Sequence, residues 1–220
     1  MTRKGLELWF NIRVCTPRIC IIIHNLHPST PQLWNKFGIN NMPHIPVSPE
    51  IPGIRGLFEY RPETGTPLRK LAHVLLHGPS PLKKGERELI ATFVSHGNGC
   101  TFCTMSHAAA ARHHYGADAQ IVDDVVYNND HSAISPLLST LLEIAEKVRI
   151  GGRTVEAELV EKARNLGAND NHIHDTVIIA AAFCMFNRYV DGLKAITPQS
   201  KADYVAMGER MATKGYYWES

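Results

Sequence analysis

The stretch NGCTFCTMSH, residues 98–107, sets two cysteines three positions apart and a histidine four positions after the second. Two thiols and an imidazole at this spacing have three uses. They can ligate zinc, they can pack as small buried hydrophobes, or they can form a redox dithiol with a proton acceptor at hand. On a helix Cys100 and Cys103 are neighbours one turn apart, and His107 stacks one turn beyond Cys103 on the same face. Gly97 and Gly99 interrupt the preceding helix, so the cysteines open a new one. A helix start offers unpaired N–H groups and a partial positive charge, which lower the cost of a thiolate. Zinc would find three ligands at most here, with no second cysteine pair. A redox dithiol needs only an imidazole to take the thiol proton.

The spacing also points to a carboxylate. If the helices on either side of Asn98 form an antiparallel hairpin, residues equidistant from the turn face one another. His107 then reflects onto position 89, beside Glu88, both about 15 Å from the turn at 1.5 Å per residue. Glu88 is the acid placed to orient His107 and hold its proton. Glu86 points elsewhere on the helix and reads as a solvated charge. Taken singly, Glu88 could be a surface acid and His107 a polar helix-face residue; their combination with the dithiol carries the reading.

These residues need helices to position them. Residues 82–96 put Leu89, Ile90, Phe93 and Val94 on one stripe, and 100–115 end at Gly116. A helix over 67–77 is expected after a Thr66 cap and Pro67, stopping at Gly78-Pro79. Further helices are expected at 118–127, at 135–149 from Ser135-Pro136, and at 154–166 between Thr154 and Gly167. Residues 171–191 contain TVIIAAAFCMF, apolar all round, which predicts a helix at the centre of a bundle. A last helix covers about 199–213. Period-two alternation is never sustained, so the chain reads as an all-α helical bundle. Residues 42–66, rich in proline, read as an extended N-terminal arm. His113-His114 and His172/His174 could be ligands but read rather as exposed helix residues, Cys184 reads as core, and Ser95 and His96 as candidate polar supports for the dithiol turn.

The first 41 residues differ from the rest. They carry five Lys/Arg against Glu7 alone, whereas the remainder has 18 bases and 20 acids. Eleven of the thirteen prolines fall within the first 81 positions. The run ICIII (19–23) is too short to span a bilayer, which needs about 20 apolar residues, and Glu7, Arg13 and Arg18 break it as a secretory core. It reads as a short β-prone or disordered stretch. Residues 1–41 are therefore expected to be a poorly structured extension and 42–220 the helical domain, with Met42 as a candidate biological start. N-terminal sequencing that finds abundant chains beginning earlier would dismiss that start. The net charge of +2 gives no argument for nucleic acid or a membrane surface. Five cysteines (15, 20, 100, 103 and 184) without a secretory signal suggest a reducing, cytoplasmic setting.

The segment EREL-IATFVSHGNGCTFCTMSHAAAA resembles the signature of the AhpD-like alkylhydroperoxidase family within the carboxymuconolactone decarboxylase superfamily. Glu88, Cys100, Cys103 and His107 match its spacing one for one, and AAAFCMFNRYVDGL (180–193) is similar to the C-terminal segment of the peroxidase-related branch. The likeness covers about 42–215. It implies an all-helical fold and a thiol-dependent peroxidase in which Cys103 attacks the peroxide and Cys100 closes the disulfide, while His107 and Glu88 relay the proton. It implies a hydroperoxide substrate, a dithiol reductant such as a lipoylated or thioredoxin-like protein, and a homo-oligomer, trimer or hexamer. No cofactor and no metal ligands are assigned. Some relatives carry a second histidine between the cysteines where this chain has Phe102, a loss that bears on peroxidase rate more than on redox chemistry. Two rivals remain: a non-redox decarboxylase-type enzyme acting on a cyclic lactone acid, and a redox-sensing or zinc-binding module.

Overall fold

The computed structural model describes residues 10–16, 19–26 and 42–217. The chain divides into two compact units, Met1–Pro46 and Val47–Ser220. In the first, strands β1 (Phe10–Thr16) and β2 (Ile19–Leu26) form an antiparallel hairpin with Thr16 opposite Ile19 and Cys15 opposite Cys20. A sheet was not expected anywhere. The hairpin arises because a continuous run of β-branched isoleucines favours a strand without needing strict alternation. Outside 10–16 and 19–26, the expected poorly structured extension of 1–41 lies outside the described residues.

The second unit is all-helical, and no strand occurs among its described residues. Its helices are α1 (Ile54–Tyr60), α2 (Pro62–His77), α3 (Lys84–Gly97), α4 (Thr101–Tyr115), α5 (Gln120–Tyr127), α6 (Pro136–Ile150), α7 (Ala157–Asn165), α8 (Asp170–Gly192) and α9 (Lys201–Lys214). The expected extended arm is thus corrected over 54–66. Pro62 starts α2 at the first helical position, where a missing N–H costs nothing. The helix therefore runs on through Pro67 instead of starting there. Gly65 lets it lie on α1, since a Cβ at that position would meet the Phe58 carbonyl oxygen at 2.3 Å. Ser135 caps α6 by accepting from the Leu138 N–H at 3.1 Å, as its sequence suggests. Thr154 does not cap α7: its hydroxyl donates to the Lys147 carbonyl at 2.9 Å, and the helix starts three residues later.

The helices α3 and α4 form the antiparallel pair at the centre, with α9 packed on α4 and α8 on both α3 and α6. Leu89, Ile90, Val94, Leu141, Leu142, Ile144, Ile179 and Phe183 are almost completely buried between them. Each such side chain stabilises the fold by about 1.5–3 kcal/mol. Helix α8 buries only part of its surface: Ile179, Phe183, Phe186 and Val190 face the core, while Ala181, Met185 and Arg188 are exposed in the single chain. An all-round apolar sequence does not require burial all round, because isolated apolar residues are common on protein surfaces. No helix among the described residues is long and apolar enough to cross a membrane.

Candidate active site

The dithiol sits on the turn between α3 and α4. The Asn98 N–H bonds to the Val94 carbonyl (3.0 Å), and the Cys100 N–H bonds to the Ser95 carbonyl (3.1 Å). Gly99 makes this turn with φ +75°, a left-handed conformation that glycine adopts without strain. Cys100 is the N-cap of α4 and Cys103 lies in its first turn, so both sulfurs belong to the positive end of the helix. Side chains from elsewhere fix the turn. The Asn98 amide donates to Asn187 Oδ1 (2.9 Å), and Asn187 in turn donates to Ser95 Oγ (3.0 Å). Arg149, paired with Glu146, donates to the Gly97 carbonyl at 2.9 Å. Ser95 is thus a polar support of the turn. Cys184 is half-buried and 3.6 Å from the Asn98 amide.

Both thiols are free. Cys100 is fully buried, and Cys103 is 3% exposed. A hydrogen bond with Cys103 and burial push the Cys100 thiol well above its ordinary range. Cys100 therefore keeps its proton and offers it to the sulfur of Cys103.

Across the hairpin, His107 Nδ1 lies 2.8 Å from Glu88 Oε2. The reflection about Asn98 finds the pair correctly. Glu88 is completely buried, and its other oxygen, Oε1, accepts from the Tyr216 hydroxyl at 2.5 Å. An ionised carboxylate only accepts, so His107 Nδ1 carries the proton and Nε2 is left with the lone pair of a base. The imidazole stacks on Tyr216 at 5.7 Å and meets the edge of Phe183 at 4.6 Å. Burial, followed by the Glu88 charge and hydrogen bond, pushes the Tyr216 hydroxyl well above its ordinary range, so it stays a donor.

Tyr216 is absent from the sequence-derived site. It lies 109 residues beyond His107 and after the last helix, where no periodicity marks it. Gly215, at φ +73°, turns the chain back against His73, whose Nδ1 receives the Tyr216 N–H at 3.3 Å. A glycine just past a helix end followed by an aromatic residue is the signal that was present.

Cys103 and His107 open onto a cavity of about 70 Å³ lined also by Phe58, Phe102, Phe183 and Met207, with Arg69 and Arg210 among its polar groups. Cys100 does not line it. Phe102 takes its place in the wall because Gly53 leaves room: a Cβ there would fall 1.8 Å from the Phe102 ring. On the other side of Glu88 stand His77 and His114. Burial, with Lys84 next, lowers His77 to about 4, and burial lowers His114 as well. His114 is half-buried, not exposed as expected from its helix position, because α4 turns it toward α2. His113 and His174 are exposed, and His172 makes hydrogen bonds with Asn169 at the start of α8.

Residues 62–147, a segment holding Glu88, both cysteines and His107, match the model of the carboxymuconolactone decarboxylase family. The likeness to that family thus spans 86 of the chain's 220 residues. Solved structures share this domain's fold. An uncharacterized peroxidase-related protein from Silicibacter sp. is 24% identical with a TM-score of 0.64, the match covering 83% of this chain and 92% of that one. An AhpD-core peroxidase-related protein from Ralstonia eutropha is 24% identical at a TM-score of 0.63, covering 80% and 85%. A protein of unknown function from Agrobacterium tumefaciens, linked by name to AhpD antioxidant defence, is 21% identical at 0.58, covering 66% and 97%. No curated protein sequence matches the chain. The all-α, AhpD-like architecture expected from sequence is the one observed.

Proposed function

We propose that this protein is a thiol-dependent peroxidase using Cys103, Cys100, His107 and Glu88. The observation that carries the reading is the buried Glu88–His107 pair, 2.8 Å apart, one helical turn from a cysteine that faces a cavity its partner thiol does not line. His107 Nε2 takes the Cys103 proton, and Glu88 stabilises the imidazolium. The Cys103 thiolate attacks the distal oxygen of a hydroperoxide ROOH. The S–O bond forms, the O–O bond breaks, and the alkoxide takes the proton from His107 to leave as ROH. Cys103 is then a sulfenic acid. The Cys100 sulfur attacks it, forming the disulfide and releasing water. An external dithiol returns both thiols by exchange and leaves as its own disulfide.

The largely apolar lining, which also includes Arg55, Arg69 and Arg210, suits an organic hydroperoxide. The expected test result is peroxide consumption with a dithiol donor that disappears in Cys103→Ser. In Cys100→Ser, one equivalent of peroxide should be consumed and a sulfenic acid trapped at Cys103. Turnover that persists in Cys103→Ser overturns the reading. The family match supports a second reading, acid–base chemistry by His107 and Glu88 on a cyclic lactone acid. It predicts lactone turnover that survives replacement of both cysteines.

A further inference from the structure

The relay does not use His77 and His114. His77 is the last residue of α2 and His114 the last but one of α4, so two helix C-termini, each with partial negative charge, converge beside Glu88. One ligand atom from each of His77, Glu88 and His114 lies within 4.8 Å of the others. The Nε2 atoms of both histidines are buried and have no hydrogen-bond partner. A buried unpaired nitrogen costs about 1–3 kcal/mol, and two such nitrogens on histidines clustered with one carboxylate call for a ligand. Arg87 holds the geometry, donating to the Leu75 and Gly78 carbonyls at 3.1 and 2.9 Å and pinning the end of α2 to α3.

From this convergence we infer that His77, Glu88 and His114 form a site for a zinc-type divalent cation, which shares Glu88 with the proton relay. Two imidazoles and one carboxylate suit zinc, whereas magnesium and calcium take oxygen ligands. Tetrahedral zinc sets its ligand atoms about 3.3 Å apart, within reach of side-chain adjustments at three helix positions. A three-ligand site leaves the fourth position to water. Lys84, one turn before Glu88, opposes the cation, but it is exposed and free to swing into solvent.

The test titrates reduced, metal-free protein with Zn²⁺ alone, using a competing chromogenic chelator. The site predicts one equivalent bound by wild type and by the Cys100→Ser/Cys103→Ser variant, and binding weakened roughly tenfold or more in each of His77→Gln and His114→Gln. Circular dichroism confirms that each variant is folded, and two single variants guard against the loss of one. Binding that is absent, or that follows the cysteines instead of the histidines, overturns the proposal. Failure of the peroxidase reading would appear separately, as no peroxide turnover in metal-free wild type.

Discussion

A buried carboxylate persists as an anion only if donors occupy it, and Glu88 has two: His107 Nδ1 and the Tyr216 hydroxyl. Replacing Tyr216 with Phe removes one charge-assisted bond without opening a cavity. It should destabilise the protein by about 1.5–3 kcal/mol in urea unfolding; a change under about 0.5 kcal/mol would mean the hydroxyl contributes no net support. The thiols are equally unlike one another. Cys100, raised by its bond to Cys103 and by burial, should resist alkylation near neutral pH while Cys103 reacts, and peptide mapping by mass spectrometry reads which is labelled. The same asymmetry affects stability at high pH. The unfolded chain releases the Cys100 proton near the ordinary 9.0 while the folded chain retains it. Unfolding therefore gains as pH rises past 9.0, by at most about 1.4 kcal/mol per pH unit. Cys100→Ser should flatten that alkaline slope; an unchanged slope would assign it to other groups.

At the scale of elements, the dithiol turn is held by amides from a distant helix. Asn187→Ala strips both the half-buried Asn98 and the buried Ser95 of a partner, and should cost about 1–3 kcal/mol, the buried hydroxyl losing its donor. It should also slow disulfide closure, read by the rate at which both thiols vanish after peroxide is added. Gly53→Ala is expected to be as harmful for a different reason. The new Cβ must displace the Phe102 ring while the backbone sits at φ +64°. These elements show what local pattern can and cannot reveal. Helix starts and stops are written in nearby residues, as at Ser135-Pro136 and Gly116, and the Glu88–His107 pair follows from one turn and a fixed rise per residue. Tyr216, Asn187 and His114 reach the site through tertiary packing, and the local sequence offers no more than the turn glycine beside Tyr216. The early start of α2 was hidden because Pro67 looks like a beginning when Pro62 already provides one.

At the scale of the molecule, the two units differ in charge. The buried apolar side chains of the second unit run from Leu57 to Ala212. The dithiol, the relay, the cavity and the histidine cluster all draw their residues from the second unit. A chain beginning at Met42 therefore keeps every side chain that this core and site require. It would carry 18 Lys/Arg against 20 Asp/Glu, reversing the sign of the net charge. Such a variant is expected to unfold cooperatively within about 4 °C of the full chain, a difference of about 1 kcal/mol for a domain of this size. It should also match the full chain in the alkylation rate of Cys103. A markedly lower midpoint would mean that residues 1–41 cover apolar surface the helices need. An altered alkylation rate at an unchanged midpoint would mean that the reactivity of Cys103 depends on residues 1–41.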